Sequence, residues 1–453
     1  MVKNELLELE IVSVSTDGAG IGRYNGLAVF VPSSAVGDRL LVRIIKVTKS
    51  YAVGKIEEIL TPSKDRVIPE CTDCQKCGGC NFWHIDYKTE LSYKTQFVCD
   101  NMKKLGGIDV DVKSCEASPS EKQYRNKVIY PVRPNKEGKP TFGFFAERSH
   151  RIIETRSCLI EPEIFSKIAE ETINFMVKYG IKAYNEETNG GIIRNIFLRT
   201  TKKGEIMVCL VATKPFSESG LLAKHIKNLF PSVRSVVLNY NNKNTNVVLS
   251  DNFETVLGED FIEDELCGLR FRISPASFYQ INRDQAERLY NKAKELIAPK
   301  GREVLIDLYC GAGTIGLSMA DSVKEVIGVE IVPEAIENAN ENARINGIKN
   351  AEFICADAGE GAKILKERGI KPDIIVVDPP RKGCTTDCLE VINSLSPEKI
   401  CYISCNSATL ARDMAVLEDF GYTAEAVYPF DMFPKTAHVE CVVRLCRNER
   451  SSI

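Results

Sequence analysis

At 453 residues the chain is too long for one ordinary hydrophobic core, so two or three domains are expected. Charged residues make up 27% of the sequence, but the formal net charge is only −3, which excludes nucleic-acid binding through global basicity and leaves local basic patches. The sequence contains no run of about eighteen apolar residues and no N-terminal signal pattern, so we expect a cytoplasmic protein without a membrane partner.

Residues 1 to about 60 have the pattern of a small all-β module. Short apolar or alternating segments, separated by glycine, aspartate and serine turns, predict about five strands, the clearest at residues 7–11, 27–31, 40–47 and 51–59. That number is typical of an OB-like barrel, a shape that often holds oligonucleotides. Its lysines and arginines fit either an RNA-binding surface or the solvated strand faces of a spacer module.

Four of the 17 cysteines fall within ten residues, at Cys71, Cys74, Cys77 and Cys80. Such crowding predicts a metal or cluster site rather than a disulfide framework. Zinc sites usually pair two C-x2-C knuckles across a longer finger, which this run does not offer. Three nearby cysteines with a remote fourth are typical of a four-iron cluster, and Cys158 is the obvious remote candidate. Spacing alone leaves zinc open and does not tell which of the first four cysteines is not a ligand.

The stretch from residue 81 to about 272 interleaves aromatic and basic side chains. They include Tyr124, Arg125, Lys127, Arg133, Phe142, Phe144, Phe145, Arg148, His150, Arg151, Phe197 and Arg199. Aromatic rings stack on unpaired bases while arginine and lysine meet phosphates, so this composition favours a binder of single-stranded RNA or RNA loops. The alternative is an ordinary α+β domain with core phenylalanines and a solvated rim.

Residues 304–316, read as VLIDLYCGAGTIG, combine a buried strand with a G-x-G-x-x-G turn and the start of a helix. A second strand ends at Glu330, where a carboxylate would meet ribose hydroxyls. The glycines alone also fit a dinucleotide such as NAD. Asp307, just before the turn, would oppose a pyrophosphate at the helix N-terminus and favours a ligand with positive charge, such as S-adenosylmethionine.

Five potentially functional side chains lie at the ends of predicted strands in the last 180 or so residues; they are Asp307, Glu330, Asp357, Asp378 and Cys405. In a doubly wound sheet the ligand lies outside the carboxyl ends of the strands. Because structural roles alone seldom produce this coincidence, we expect one site at that edge of the sheet.

The motifs DLYCGAGTIG, DPPRKG, SCNSATLARD and DMFPKTAHVE, in that order, resemble those of the RNA (uracil-5-)-methyltransferase family. SPASFYQIN at 274–282 is similar to the stretch before its catalytic core, and the N-terminal barrel resembles a TRAM domain. The resemblance implies a multidomain chain: a TRAM-like β-barrel (1–60), a central α+β domain for RNA binding with an iron–sulfur site (61–272), and a Rossmann-like α/β methyltransferase domain (273–453).

The resemblance also assigns roles to individual residues. It implies that Cys405 is the nucleophile and Glu440 the general base. The residues that contact S-adenosylmethionine would be Gln280, Tyr309, Glu330 and Asp378, with Asp357 less clearly so. The ligands of a 4Fe–4S cluster would be Cys71, Cys77, Cys80 and Cys158, with Cys74 the extra cysteine.

The substrate implied by the resemblance is RNA, with 23S ribosomal RNA favoured over transfer RNA. Family members with such a cluster mostly modify 23S ribosomal RNA, whereas the transfer-RNA enzymes generally lack it. No obligate protein partner is indicated by the sequence.

The chemistry follows independently from uracil itself. C5 of the neutral, conjugated ring is a poor nucleophile, and a thiolate that adds at C6 makes an enolate with electron density at C5. After methyl transfer a carboxylate removes the C5 proton so that the thiolate can leave. Arg381 is a candidate for the positive charge that activates Cys405, or forms a structural ion pair. The base must also be flipped out of its stack.

Three rival functions differ in the residues they need. An RNA cytosine-5 methyltransferase would place a cysteine directly in the DPP loop, where this chain has Pro380 and Arg381. A radical S-adenosylmethionine enzyme needs C-x3-C-x2-C, which residues 71–80 do not contain. A non-catalytic RNA-binding or redox iron–sulfur protein would not need Cys405 and Glu440 together.

Overall fold

The computed structural model describes residues 1–147, 149–155 and 157–448, so Arg148, one of the basic residues named above, lies outside the described residues. Residues 6–61 form a six-stranded sheet in the order β1-β5-β6-β4-β3-β2. Its strands are β1 (Leu6–Glu10), β2 (Ser13–Val14), β3 (Gly20–Tyr24), β4 (Leu27–Val31), β5 (Arg39–Val47) and β6 (Tyr51–Thr61).

This N-terminal sheet curls over a core of its own because apolar residues alternate along β1 and β5. Leu7 and Leu9 pair with Val42 and Leu40, and all four are buried. A side chain at Gly22 would come within 2.4 Å of Leu9, so only glycine lets β3 approach β1 closely enough to curl the sheet.

A helix then connects the cysteine segment to the C-terminal domain. It is α1 (Tyr87–Asn101), capped by Asp86, whose side chain accepts a hydrogen bond from the Thr89 amide, and it continues in a π-helical turn (Met102–Gly106). The short strand β7 (Asp111–Val112) follows and joins the C-terminal sheet. This helix and strand therefore pack on the methyltransferase-like domain, although the sequence predicts them within the central segment 61–272. The predicted domain boundaries, after residues 60 and 272, stay a proposal.

The central part is a second six-stranded sheet, ordered β15-β14-β13-β12-β8-β9, with two helices packed against it. Its strands and helices, with the small β10–β11 pair, are β8 (Lys127–Pro134), β9 (Pro140–Phe142), β10 (Phe144–Phe145), β11 (Ile152–Ile153), α2 (Glu163–Tyr179), β12 (Ile193–Thr200), β13 (Ile206–Ala212), α3 (Ser219–Leu229), β14 (Val233–Tyr240) and β15 (Phe253–Leu257). The apolar faces of both helices cover the sheet, which makes this an α+β unit.

The C-terminal part is built on an eight-stranded sheet in the order β20-β19-β18-β21-β22-β24-β23-β7. The first five of these strands are parallel, and β24 runs antiparallel to β22. The strands, with the hairpin β16–β17 that precedes them, are β16 (Ile262–Leu266), β17 (Leu269–Ile273), β18 (Val304–Leu308), β19 (Glu325–Glu330), β20 (Ala351–Cys355), β21 (Ile374–Val377), β22 (Lys399–Ser404), β23 (Tyr422–Phe430) and β24 (Glu440–Arg447).

Helices cover both faces of this sheet, as expected for a Rossmann-like domain. They are α4 (Arg283–Ile297), α5 (Thr314–Met319), α6 (Pro333–Ile345), α7 (Ala358–Glu367), α8 (Thr386–Leu395) and α9 (Ser407–Asp419), with a 3-10 turn (Ala320–Ser322) after α5. Strands such as 374–377 are buried on both sides, which explains their uninterrupted apolar sequence. Within the described ranges, no helix has the length and apolar character needed to cross a membrane.

Candidate active site

The strand order reverses between β18 and β21, and the predicted cofactor residues gather at this point. Tyr309 follows β18, Glu330 ends β19 and Asp378 follows β21, so all three lie at the carboxyl edge of the sheet. A crevice forms where neighbouring crossovers leave in opposite directions, and ligands of open α/β sheets bind there.

The glycine turn after β18 holds Glu330 in one orientation. Tyr309, Gly311 and Gly313 all have left-handed backbone conformations, which makes Tyr309 a strained position. The Gly311 amide donates to one Glu330 carboxylate oxygen at 3.1 Å, and the Val332 amide donates to the other at 3.0 Å. The carboxylate is thus preorganised at the crevice, with lone pairs left for ribose hydroxyls.

Asp307 does not face the crevice as the sequence suggested. It is fully buried, and its Oδ2 accepts a hydrogen bond from the Gly316 amide at 2.8 Å. A Cβ at position 316 would lie 2.9 Å from this oxygen, so glycine is required for the contact. Asp307 therefore disfavours a pyrophosphate by occupying an amide in the first turn of α5, rather than by touching a cationic ligand.

Acidic groups crowd the crevice and the turn behind it. Burial, with the nearby charges of Asp378 and Glu330, raises the pKa of Asp307 to about 7. Burial also raises the pKa of Asp378 to about 7. The Asp307 Oδ1 has no hydrogen-bond partner in the described part of the chain. These carboxyls fit a cofactor that brings positive charge, such as a sulfonium and an ammonium group, and they do not fit a pyrophosphate.

Gln280 reaches the same crevice from the segment between β17 and α4. Its side chain lies by the hydroxyl of buried Tyr290, which also contacts the Thr314 hydroxyl at 3.5 Å. Asn126 donates a 2.8 Å hydrogen bond to the Gln280 carbonyl and so ties this segment to the central sheet. The sequence analysis missed Tyr290, since a tyrosine in an amphipathic helix carries no distinguishing signal.

The second half of the site brings Cys405 and Glu440 together across two strands. Ser404 in β22 pairs with Cys441 in β24, so the adjoining residues Cys405 and Glu440 lie opposite each other. Cys405 is half-buried, whereas Glu440 is 5% exposed. A thiol and a carboxyl group therefore lie together near Asp378.

Both groups are held in their neutral forms by their surroundings. Burial, then the charge of Asp378, raises the pKa of Glu440 to about 8. Burial, then the charges of Glu440 and Asp378, raises the pKa of Cys405 to about 11. The charge of Arg381, in the DPPR loop, opposes both shifts.

The side chain of Asn406 connects the turn at Cys405 to the DPPR loop. Its side-chain oxygen caps α9 by accepting from the Ala408 amide at 3.0 Å, and its Nδ2 donates to the Arg381 carbonyl at 3.0 Å. The Asn406 side chain thus fixes the position of the Arg381 backbone relative to Cys405.

A buried lysine anchors the segment that leads to Glu440. Lys94, in α1, is completely buried, and its Nζ donates to Glu90 at 2.7 Å, to Asp431 at 2.6 Å and to the Phe433 carbonyl at 3.3 Å. The Lys435 amide donates to the same Glu90 carboxylate at 2.7 Å. The sequence analysis missed Lys94 because its partners in this segment lie more than three hundred residues away.

The cysteine segment also contacts residues 431–440. The Asn81 amide donates to the Lys435 carbonyl at 2.7 Å, directly after Cys80. The Tyr124 hydroxyl, packed beside the cysteines, donates to the Pro434 carbonyl at 3.0 Å. The metal-site candidates and the catalytic candidates, distant in sequence, therefore share a packed boundary.

All five cysteine candidates line one cavity of about 320 Å³, together with Trp83, Arg125, Lys127 and Glu161. Burial raises the pKa of each thiol, to about 12 for Cys80, and the neighbouring cysteines raise most of them further. Nearby backbone amides oppose this rise at Cys71, Cys74, Cys77 and Cys158. Within the described residues no three His, Cys, Asp or Glu side chains converge closely enough to hold a single metal ion.

The model of the tRNA (uracil-5-)-methyltransferase family matches residues 86–448, and that of the TRAM domain matches residues 3–56. The chain belongs to the RNA (uracil-5-)-methyltransferase family. It is an S-adenosylmethionine-dependent RNA uracil methyltransferase with an N-terminal TRAM domain and a C-terminal methyltransferase domain.

Individual relatives agree with this placement. An uncharacterised RNA methyltransferase of Clostridium tetani is 44% identical over 97% of this chain and 96% of its own length. One of Halalkalibacterium halodurans is 41% identical, with 98% and 97% of the two chains covered. Among solved structures, the Pyrococcus abyssi tRNA (uracil-54, C5)-methyltransferase in complex with S-adenosyl-L-homocysteine has a TM-score of 0.77 and 28% identity, covering 97% of this chain and all of the other.

Several basic residues predicted to bind RNA instead make contacts within this methyltransferase. Arg133 donates to the Val132 and Arg194 carbonyls and pairs with Glu186, and Lys127 lies in the cysteine cavity. Arg199 is 1% exposed and donates to the Ser274 and Ser277 carbonyls, so it holds the segment that carries Gln280. The phenylalanines at 142 and 197 are buried, which confirms the ordinary-core alternative for them.

Proposed function

We propose that this enzyme methylates C5 of a specific uridine in RNA through a covalent bond between Cys405 and C6 of the base, with Glu440 as the base that removes the C5 proton. The register of β22 and β24 carries this proposal, because it places the thiol and the carboxyl opposite each other beside the cofactor crevice. Gln280, Tyr309, Glu330 and Asp378 are proposed to contact S-adenosylmethionine, whose sulfonium supplies the methyl group.

The residues of the site then have distinct tasks. Arg381 favours the thiolate of Cys405, which attacks C6 and moves electron density to C5. Once C5 carries the methyl group, Glu440 takes the C5 proton, and the bond between Cys405 and C6 breaks as the ring double bond re-forms. The charge of Arg381 opposes the rise of the Glu440 pKa to about 8 and so favours the ionised form that this step needs, after the sulfonium charge has been lost with the methyl group.

The neutral resting state has a physical advantage. A buried thiolate and a buried carboxylate side by side would repel each other, so charge develops only when a cation and a uracil arrive. The rival cytosine-type mechanism lacks support here, because Cys384, the first cysteine after the DPPR loop, is 4% exposed and its amide is bonded to Asp413.

We propose 23S ribosomal RNA as the substrate, because the family members that resemble this chain in carrying a cysteine site mostly act on it. Transfer RNA is the second candidate, favoured by the match to a Pyrococcus abyssi enzyme named for uracil 54 of tRNA. A strain lacking this protein should lose 5-methyluridine from ribosomal RNA while its transfer RNA is unchanged, as measured by mass spectrometry of the separated RNAs. Loss from transfer RNA alone would select the second candidate.

We also propose that Cys71, Cys77, Cys80 and Cys158 hold a 4Fe–4S cluster. In such a cluster each iron binds one cysteine, so the four sulfurs surround a volume, and the candidate cysteines here line one cavity. Zinc needs four ligands within about 2.3 Å of one point. The backbone amides near the sulfurs would stabilise bound thiolates.

Protein purified without oxygen should therefore be brown and contain about four irons per chain. Cys158→Ser should lower the iron content, whereas Cys209→Ser, a buried cysteine outside the cavity, should leave it unchanged. Stoichiometric zinc in a colourless protein would contradict the cluster assignment, and a full loss of iron in Cys74→Ser would contradict the choice of ligands.

A further inference from the structure

A groove between the central sheet and the C-terminal domain has none of the proposed catalytic or cofactor residues in its wall. Its volume is about 530 Å³, and its wall comes from the segment before β8, the β12–β13 turn and the start of α4. Four basic side chains line it, Lys122, Arg125, Lys202 and Arg283, against one acidic side chain, Asp284. In a protein with a formal net charge of −3, this is a local basic patch.

Two of the four cations are free to take a ligand. Within the described residues, the side chains of Arg125 and Lys202 form no hydrogen bond or ion pair with another side chain, and Lys202 is exposed. Lys122 pairs with Glu70, but the two side chains are 44% and 61% exposed, so the pair is weak and exchanges readily for a phosphate. Arg283 is held by Asp264 and Asp284.

The floor of the groove is attached to the active site. Tyr124 bonds the Pro434 carbonyl, Asn126 bonds the Gln280 carbonyl, and Asn282 donates to the Met432 carbonyl at 3.1 Å. The charge of Arg125 also reaches His438, two residues before Glu440, and lowers its pKa after burial and Arg381. A chain lying in the groove would therefore border the segment that presents the general base.

We propose that this groove binds the phosphates of the single-stranded RNA that flanks the target uridine, through Lys122, Arg125 and Lys202. The inference rests on the proposed function and adds the path of the RNA, with Arg125 at its inner end. A polyanion of closely spaced phosphates matches a groove in which two cations have free donors and a third is held only by an exposed ion pair, and a target uridine that leaves its stack needs its neighbours held in place.

The test is the salt dependence of binding to a fluorescein-labelled single-stranded oligouridylate. Each phosphate contact on a single strand contributes about 0.7 to the slope of log affinity against log salt. The double variant Lys122→Gln with Lys202→Gln should lower the slope by about 1.4 and weaken binding about 25-fold at about 0.1 M salt. Adding Arg125→Gln should lower the slope by a further 0.7 or so.

The matched control removes the same charge elsewhere. Lys178 and Lys224 are exposed and line a different cavity, between α2 and α3, so their double glutamine variant should keep the wild-type slope. An unchanged slope in the Lys122/Lys202 variant would overturn the groove as the RNA path. Equal binding of polyglutamate, with the same loss in the variant, would also overturn it, since a general anion site would then explain the effect.

A separate measurement distinguishes failure of the groove proposal from failure of the proposed function. Wild-type protein should form an S-adenosylmethionine-dependent, denaturant-stable adduct with ribosomal RNA that contains 5-fluorouridine. If the adduct is absent while the slope changes as expected, the groove stands and the proposed chemistry fails. If the adduct forms and the slope does not change, the chemistry stands and the groove fails.

Discussion

Cys405→Ala should abolish both the covalent complex with RNA and the methylated product, whereas Glu440→Gln should make the complex accumulate. The alanine variant has no thiolate to attack C6, so no later step can begin. The glutamine variant permits attack and methyl transfer but leaves no base for the C5 proton, so turnover should fall by about two to four decades. Denaturing gels with S-adenosylmethionine labelled in its methyl group measure both the adduct and the product.

The nearest thiols in sequence provide the controls for this pair of variants. Cys384 and Cys388 are 4% and 1% exposed, and both lie in the core rather than opposite Glu440. Their alanine variants should stay active and form the same adduct with RNA containing 5-fluorouridine. A denaturant-stable adduct in Cys405→Ala, or its loss in Cys384→Ala, would show that the nucleophile is wrongly assigned and would make the cytosine-type mechanism the better explanation.

Lys94→Met should cause a large loss of folding stability. It leaves Glu90 and Asp431 buried without their cation, and removing one partner of a buried ion pair costs about 3–5 kcal/mol. The loss should depend on pH. Burial already raises the pKa of Glu90 to about 7, and removal of Lys94 raises it further, so the folded variant takes up protons as the pH falls. Urea unfolding midpoints should therefore differ from wild type strongly near pH 8 and less near pH 5.

An exposed ion pair close in the chain serves as the comparison. Lys104 and Asp100 have the same i,i+4 spacing as Lys94 and Glu90, but their side chains are 68% and 42% exposed. Lys104→Met should change the unfolding free energy by less than about 1 kcal/mol at either pH. Equal effects of the two substitutions, or a Lys94→Met deficit that grows as the pH falls, would contradict the role given to the buried network.

The same network explains how a distant residue can affect catalysis. Lys94 and Glu90 hold the segment 431–440, and Glu440 is the last residue of that segment. Tyr124 and Asn81 hold it from the side of the cysteine cavity. Glu440, the proposed general base, is therefore positioned by helix α1 and by residues beside the cysteine cavity and the proposed RNA groove.

Much of the local structure follows from the sequence. The apolar runs at 304–306 and 374–377 predict buried parallel strands, and the glycines at 311 and 313 predict the turn between β18 and α5. Both features depend on neighbouring residues and on backbone sterics, so a short stretch of sequence is enough to predict them. The placement of Glu330, Asp378 and Cys405 at strand ends is confirmed for the same reason.

Whether an individual side chain is free to bind a ligand does not follow from a short stretch of sequence. Arg133 and Arg199 look like phosphate-binding residues in sequence, but their donors bind carbonyls and a carboxylate from other elements. Asp307 looks like a ligand to the cofactor and instead holds the Gly316 amide. Each side chain has the charge and hydrogen-bonding groups expected of its type. Packing between distant parts of the chain decides which partner those groups bind.

By itself, then, the sequence determined the family and the polar residues at the strand ends, and it predicted Cys405 and Glu440 as the reactive pair, since these depend on local motifs. Only the tertiary structure decided that β22 and β24 are neighbours, which places Cys405 opposite Glu440. It also decided that Lys94 is buried between two carboxylates and that Lys202 is free in a groove. These outcomes depend on contacts between residues far apart in the chain, which form only when apolar faces of several elements are buried together.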